Sequence, residues 1–353
     1  MHGSKILYIL FIALILSSCD KGINSVNNAE TVTPGRRDYV WSVDTLKIAP
    51  YEMFLPTRIW GNSPTDVWIV GSGTSSKYSI WHFDGAKWRT DSIPRNIDPM
   101  ALWGTSAVNI WMGNVNGAIW RFDGTQWSKF GDYKLSGYDY IALNEMWGSA
   151  WNDLWGSGFA AHNGGLEEYC GALMHYDGNQ WKFASIPTVR FMFDQIRRQN
   201  STGKYFLTGV QYEPTGNINK VYSFDGVRLQ EIFSSTTMYA YIMDLNGEVY
   251  FSLGKSIYTY YENEFHLFVD LSSTLFPGAR RGRSEKDIFT NGEGGLGHFN
   301  GSDFKIIYEL SSNYRISDIF LFPSDVFFMC YTFDYNSGIV IHGKLKNSVA
   351  ESH

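Results

Sequence analysis

Three segments of the sequence repeat the same order of aromatic residues, glycine and acidic residues, and this repetition limits what the chain can fold into. Each segment begins with Trp-Gly, passes through a polar turn to a short run ending in Trp, and reaches an aromatic-Asp-Gly triplet. Another Trp stands three residues after the triplet's glycine. The Trp-Gly pairs begin at Trp60, Trp103 and Trp147, and the triplets begin at Phe83, Phe122 and Tyr176. Repeats with a period of tens of residues are typical of solenoids and propellers.

Residues 57–93, the first repeat, predict four short antiparallel strands. The segments between them are rich in turn residues, and Asp84-Gly85 is a strong signal for a two-residue hairpin. The predicted strands are 58–60, 66–70, 78–83 and 87–93. Four antiparallel strands in each repeat make one blade of a β-propeller.

Later copies of the repeat are degenerate, and the last one lacks a fourth strand. Residues 39–46 form an alternating strand that has no blade of its own. We predict that this strand completes the last blade beside residues 339–345 and closes the ring. The copies predict an all-β propeller with seven blades of about 45 residues each. Six or eight blades stay open as alternatives, because the copy at 191–233 is poorly marked.

The combined pattern is Trp-Gly-x-Ser-x-x-Asp-hydrophobic-Trp followed by aromatic-Asp-Gly-x-x-Trp. It resembles the repeats of secreted bacterial β-propellers, which are often lipoproteins, and covers most of residues 57–345. The resemblance implies a propeller at the cell envelope. The chain lacks the Ser-x-Asp-x-Gly-x-x-Trp box of sialidases and the Gly-His and Trp-Asp pairs of WD40 blades. The functional residues of those families are therefore not carried over.

The N-terminus has the features of a secretory signal. Lys5 precedes an unbroken apolar stretch, residues 6–16, which is shorter than the roughly 20 residues of a membrane span and suits a signal peptide. Leu16-Ser17-Ser18-Cys19 resembles a bacterial lipobox, which implies cleavage before Cys19 and lipid on its thiol. An ordinary signal peptide with a chance cysteine is the alternative.

These features predict the division of the chain and its location. We expect a signal peptide at 1–18, a lipid anchor and flexible tether at 19–37, the propeller at 38–347 and a tail at 348–353. The protein is then held in the bacterial cell envelope by lipid on Cys19, in the periplasm or on the surface.

Charge and cysteine content narrow the classes of partner. The formal net charge is -6, and nucleic-acid binding favours basic faces instead. Cys170 and Cys330 are far apart in sequence and do not form a disulfide framework. We predict a monomer with no cofactor and no nucleic-acid partner.

Two apparent motifs are interpreted as structural. His82, His175, His298 and His342 occupy matching third-strand positions in four different blades, so they do not converge on one metal ion. Residues 292–297 match G-x-G-x-x-G, but a strand follows them where a dinucleotide site needs a helix. We predict no metal site and a simple loop between strands.

Long loops mark the face most suited to binding. In a propeller, the loops from second to third strands and those between blades share one face, and this chain has its longest insertions there, at 130–141, 156–171, 211–219 and 271–283. Loops carry function on rigid scaffolds. The predicted ligand-binding residues are Tyr138, Tyr140, His162, Glu167, Glu168, Tyr212, Arg280, Arg281 and Arg283. A merely solvated rim is the alternative.

Three functional hypotheses follow. The first is a non-catalytic envelope protein that binds a glycan or a protein through this face. The second is a carbohydrate-active enzyme (a glycosidase, lyase or glycosyltransferase) with Tyr138, His162, Glu167 or Glu168 as acid or base and Arg281 holding an anionic group. The third is an assembly scaffold without a small ligand. The absence of a recognisable catalytic motif favours the first.

Overall fold

The computed structural model describes residues 32–347 except Ser92, Pro94, Gly164 and Glu293. The predicted signal peptide, Cys19 and the tail lie outside the described residues. The described part contains 28 strands and one short 3-10 turn, Ser76–Tyr78. Within it, no helix has the length and apolar character that a bilayer crossing requires.

The strands form seven four-stranded antiparallel sheets, each one blade. The first strand of the chain, β1 (Tyr39–Leu46), belongs to the last blade. Blade 1 contains β2 (Phe54–Ser63), β3 (Asp66–Gly73), β4 (Ile80–Phe83) and β5 (Trp88–Thr90). Blade 2 contains β6 (Pro99–Ser106), β7 (Asn109–Asn114), β8 (Ala118–Phe122) and β9 (Trp127–Asp132). Blade 3 contains β10 (Tyr140–Ala150), β11 (Asp153–Ala161), β12 (Tyr169–Tyr176) and β13 (Trp181–Phe183).

The remaining blades follow in chain order. Blade 4 contains β14 (Met192–Arg198), β15 (Tyr205–Gln211), β16 (Ile218–Phe224) and β17 (Leu229–Ser235). Blade 5 contains β18 (Ala240–Leu245), β19 (Glu248–Leu253), β20 (Ser256–Tyr261) and β21 (Glu264–Asp270). Blade 6 contains β22 (Arg281–Ser284), β23 (Asp287–Gly292), β24 (Gly295–Phe299) and β25 (Phe304–Glu309). Blade 7 contains β26 (Tyr314–Leu321), β27 (Asp325–Thr332) and β28 (Gly338–Leu345), completed by β1.

The predicted seven-bladed propeller and its closure are confirmed. Strand β1 pairs antiparallel with β28, from Tyr39 opposite Leu345 to Leu46 opposite Gly338. The predicted strand bounds of blade 1 need small corrections. Its third strand begins only at Ile80, because the residues before it form the 3-10 turn, and its inner strand is longer than expected.

The end of the predicted tether is fixed on blade 6. Arg37 donates from Nε to Nδ1 of His298 at 3.0 Å and forms an ion pair with Asp303 at 2.6 Å. Gly35 lies so close to this blade that an added Cβ would stand 2.8 Å from the carbonyl oxygen of Lys286. Gly35 and Arg37, which the prediction placed in the flexible tether, are therefore held against blade 6.

In blades 1 and 2, the glycine of the Trp-Gly pair makes room for a side chain of the preceding blade. A Cβ on Gly104 would lie 2.5 Å from the indole of Trp60, and one on Gly61 would lie 2.5 Å from the ring of Phe322. In blade 3, a Cβ on Gly148 would instead lie 2.2 Å from the side chain of Leu154 in the same blade. All three glycines are explained by packing, since close-packed interiors leave no space for an added methyl group.

The tryptophans after the aromatic-Asp-Gly turns also pack between blades. Trp127 of blade 2 meets Trp68 of blade 1 edge-on with centroids 5.7 Å apart, and Trp181 of blade 3 meets Trp111 of blade 2 at 5.8 Å. Neither Trp127 nor Trp181 has a hydrogen-bond partner for its buried indole nitrogen. The predicted core role of these residues is confirmed.

An Asp–His pair joins the second and third strands in four blades. The distances from His Nε2 to the carboxylate are 2.8 Å for His82–Asp66, 2.8 Å for His175–Asp153, 2.7 Å for His298–Asp287 and 2.6 Å for His342–Asp325. Each histidine ring also lies against the aromatic residue two positions after its aspartate. Burial lowers the pKa of His298, despite its contact with Asp287. The matching histidines are therefore each bound within their own blade.

Replacing Gly104 by Ala is expected to destabilise the propeller, because the new methyl group would overlap the Trp60 indole. Overpacking of this kind costs about 1–3 kcal/mol of unfolding free energy, which urea denaturation measures. Gly165→Ala is the control, since its Cβ meets nothing closer than 3.4 Å. Adding Trp60→Phe to Gly104→Ala should restore part of the loss. Equal stability of the two single variants would contradict this packing.

Candidate functional site

The inner strands of five blades bulge near the face predicted to bind. The pairing of inner and second strands shifts by one residue at each of these positions. A bulge bends the strand and redirects side chains. The extra residues are Thr57, Met100, Asn144, Asp194 and Ser317.

In blades 3, 4 and 7, the residue after the bulge ties the inner strand to the next blade. Glu145 accepts the backbone N–H of Ile196 at 3.0 Å, and Gln195 accepts that of Ile242 at 3.0 Å. Asp318 accepts the N–H of Ile59 at 3.3 Å. Inner strands have one edge without a partner strand, so these side chains satisfy backbone groups that would otherwise stay unpaired.

Two ion pairs lie in the channel wall. Arg197 binds both carboxylate oxygens of Glu145 at 2.7 and 3.0 Å, and each side chain is only 6% exposed. Burial alone would raise the pKa of Glu145, but Arg197 holds it below its ordinary value. Arg281 pairs with Asp318 at 3.2 Å and also donates to the carbonyl oxygen of Ile319. These four charges are compensated within the protein.

Above these pairs the channel widens into a cavity of about 620 Å³, which we call the mouth cavity. Its wall is polar and rich in tyrosine. The lining side chains outside the ion pairs include Arg58, Asp194, Tyr212, Asn217, Asn219, Thr236, Thr237, Tyr239, Tyr241 and Arg280. Below it lies a smaller space of about 290 Å³, whose lining combines aromatic and aliphatic residues, including Trp60, Trp103 and Trp147, with charged residues such as Arg197 and Asp244. The channel therefore has a polar mouth above a more apolar base.

Three charged groups of the mouth cavity have no ionic partner within 4 Å among the described residues. Arg280 donates to the hydroxyl of Tyr241 at 3.1 Å and lies 4.4 Å over its ring. Arg58 donates to the backbone oxygens of Thr57 and Asn144. The carboxylate of Asp194 has one long contact, to the amide of Asn144 at 3.5 Å.

Asp194 is electrostatically unusual. Desolvation by the surrounding protein raises its pKa to about 6, and the negative charge of Glu145 adds to this effect. Arg58 and Arg280 act in the opposite direction. The side chain nevertheless reaches the water of the channel. Its charge therefore changes between pH 5 and pH 7, within reach of a ligand in the mouth cavity.

The predicted ligand residues fall into separate groups. Tyr212, Arg280 and Arg281 line the mouth cavity, although Arg281 is already engaged in its ion pair. Tyr138 and His162 stack with centroids 5.1 Å apart, with Glu168 at 3.7 Å from the His162 ring. The structure does not place this second group on the mouth cavity.

Three other predicted residues lie elsewhere. Tyr140 packs against Phe159 with centroids 5.8 Å apart, and Glu167 is exposed in the loop between β11 and β12. The predicted loop 271–283 needs a correction, because Arg281 and Arg283 both belong to β22. The guanidinium of Arg283 binds Asp287, the Tyr39 hydroxyl and two backbone oxygens near the opposite end of the blade. It is a structural residue of the ring closure.

Arg58, Asp194, Tyr239 and Tyr241 line the mouth cavity but were not among the residues predicted from the sequence. Arg58 was assigned to the inner strand of blade 1, and a charged residue in a strand that faces the channel was a usable signal. Asp194 had no such signal, because its position depends on a bulge. The described residues contain no group of three or more His, Cys, Asp or Glu side chains that could hold a metal ion.

No protein-family model matches the sequence, and the comparison with curated proteins gives no match. Solved structures match the fold over most of the chain. A structure of YCF48 bound to D1 peptide has a TM-score of 0.61 at 14% identity, covering 89% of this chain and 100% of that one. YCF48 from Cyanidioschyzon merolae has a TM-score of 0.57 at 12% identity, covering 84% and 98%.

A third similar structure is the β-propeller domain of the Trilobed protease from Pyrococcus furiosus. Its TM-score is 0.54 at 13% identity, covering 85% of this chain and 97% of that domain. At such low identities, these likenesses establish the propeller fold and nothing about ligands or chemistry.

Asp194→Asn is expected to raise the melting temperature at pH 7.5 but not at pH 4. The folded-state pKa is about 6 against an ordinary value of 3.8, so the folded protein binds more protons between these values. Stability then falls as pH rises through this range, and the amide removes that loss. Asp44→Asn, on the exposed strand β1, is the control. An equal shift at both pH values would contradict the electrostatic explanation.

Proposed function

We propose that this protein is a non-catalytic binding protein of the bacterial cell envelope, held by lipid on Cys19, whose mouth cavity binds an acidic segment of a partner protein. The observation that carries the proposal is the presence of Arg58 and Arg280 in this cavity without ionic partners. The envelope location rests on the signal sequence and lipobox in residues 1–19.

The chemistry of the mouth cavity supports an anionic ligand. A guanidinium group presents several N–H donors in a plane that matches a carboxylate, and such charge-assisted bonds are stronger than neutral ones. With Arg281, Asp318, Glu145 and Arg197 already paired, Arg58 and Arg280 supply positive charge that only Asp194 opposes. A ligand carboxylate would compensate it.

The lining and the size support a peptide segment. Tyr212, Tyr239 and Tyr241 offer rigid amphipathic surface that loses little conformational entropy on contact. The volume of about 620 Å³ lies within the range of ordinary ligand cavities. One structural neighbour, YCF48, is described with a bound D1 peptide, so a protein with this fold can bind a peptide.

The positions of the proposed acid and base groups favour binding over catalysis. Tyr138, His162 and Glu168 form a cluster apart from the lining of the mouth cavity, and Glu167 is exposed beside them. Arg281, the proposed anion holder of an enzyme, is occupied by Asp318. The acid–base candidates and the cationic groups therefore do not form one site.

Arg280→Gln is expected to weaken binding of an acidic peptide at least tenfold, since charge-assisted hydrogen bonds contribute about 1.5–3 kcal/mol. The full chain would be screened against peptide and glycan arrays, and the best peptide measured by calorimetry. Arg228→Gln, at the exposed turn between β16 and β17, is the control. A neutral glycan as the best ligand, or unchanged affinity in Arg280→Gln, would overturn the proposal.

Affinity for the same peptide should increase as pH falls from 7.5 to 5.5. Protonation of Asp194, whose pKa is raised to about 6, removes the negative charge that opposes a ligand carboxylate. The carboxylates of the peptide stay largely ionised, because their ordinary pKa values lie near 4. The pH dependence should be much smaller in Asp194→Asn. An undiminished dependence in that variant would assign the effect to another group.

A further inference from the structure

Blade 2 departs from the Asp–His arrangement of blades 1, 3, 6 and 7. Asn109 stands where those blades have aspartate, and Arg121 stands where they have histidine. The amide of Asn109 accepts the indole N–H of Trp111 at 3.1 Å and donates to the hydroxyl of Thr105 at 2.8 Å. Asn109 therefore makes its hydrogen bonds to Trp111 and Thr105 without carrying a negative charge.

The guanidinium of Arg121 is left without a counter-ion. It lies over the ring of Trp111, with its central carbon 5.3 Å from the centroid. Its Nε is buried and has no hydrogen-bond partner, and no carboxylate of the described residues lies within 4 Å to form an ion pair. A partly desolvated charge without a partner is unfavourable. An anion beside Arg121 would supply the negative charge that aspartate supplies in blades 1, 3, 6 and 7.

Arg121 borders a groove of about 670 Å³ between blades 2 and 3. The groove lies on the face of the first-to-second strand turns, opposite to the mouth cavity, because its lining comes from residues 103–109 and 148–151. Trp151, at its edge, is 62% exposed. Thr105 and Ser106 add hydroxyl groups to the lining.

We propose that this groove is a second binding site, specific for an acidic sugar residue. The sugar carboxylate would bind the guanidinium of Arg121 from the groove and supply the negative charge that Asn109 does not carry. The apolar face of the pyranose ring would pack on the exposed indole of Trp151, and the ring hydroxyls would meet Thr105 and Ser106. An exposed indole and an unpaired guanidinium that line one groove offer both parts of such a ligand a partner. The site is independent of the function proposed for the mouth cavity.

The test uses the full chain and oligosaccharides of glucuronic acid, with glucose oligosaccharides of equal length and inorganic phosphate as comparison probes. Calorimetry should show binding of the uronic acid oligosaccharide and at least tenfold weaker binding of both comparison probes. Trp151→Ala should weaken the binding, and Arg121→Gln should weaken it at least tenfold. Arg89→Gln, an exposed arginine on β5 of blade 1, should leave it unchanged.

The double variant Asn109→Asp and Arg121→His is a second test, since it rebuilds in blade 2 the Asp–His pair that blades 1, 3, 6 and 7 already contain. Its melting temperature should be no lower than that of the native chain, while uronic acid binding is lost. Native-like binding in the folded double variant would overturn the proposal, as would phosphate binding as tightly as the acidic oligosaccharide. Absence of uronic acid binding to the native chain would overturn it too.

Discussion

The pairing of β1 with β28 is the contact on which the ring depends. No blade buries both of its faces alone, so each needs a neighbour on either side, and the last gap is closed only when the two ends of the described chain meet in one sheet. This pairing joins residues about 300 positions apart. Contacts of such sequence separation carry a loop-closure cost in chain entropy, which the packing of the completed ring offsets.

Packing between blades then decides where function is placed. The Trp-Gly pairs bring the inner strands close together, and bulges above them turn polar side chains towards the channel. Most of these side chains serve the fold, because they accept backbone N–H groups or complete ion pairs. Arg58, Asp194 and Arg280, in contrast, form no ion pair with any of the described residues. Charged groups that lack an ionic partner in the protein are candidates for contact with a ligand.

The fold could be predicted from sequence because its signals are local and repeated. Asp84-Gly85 and its equivalents define hairpins, and the unpaired strand at 39–46 pointed to the closure. The site was harder to predict. Arg280 and Tyr212 were found from loop position, but Asp194 is placed by a bulge that pairing with β15 creates. Arg283 was misplaced, because its partners Asp287 and Tyr39 come together only after the ring closes.

Arg37 binds His298 and Asp303 of blade 6, whereas β1, which follows it in the chain, belongs to blade 7. Tension pulled along the chain from ahead of Gly35 would consequently reach blade 6 before it reached the strand that closes the ring. The contacts of Arg37 with blade 6 would bear the force first. The hydrogen bonds between β1 and β28 would be loaded only after those contacts broke.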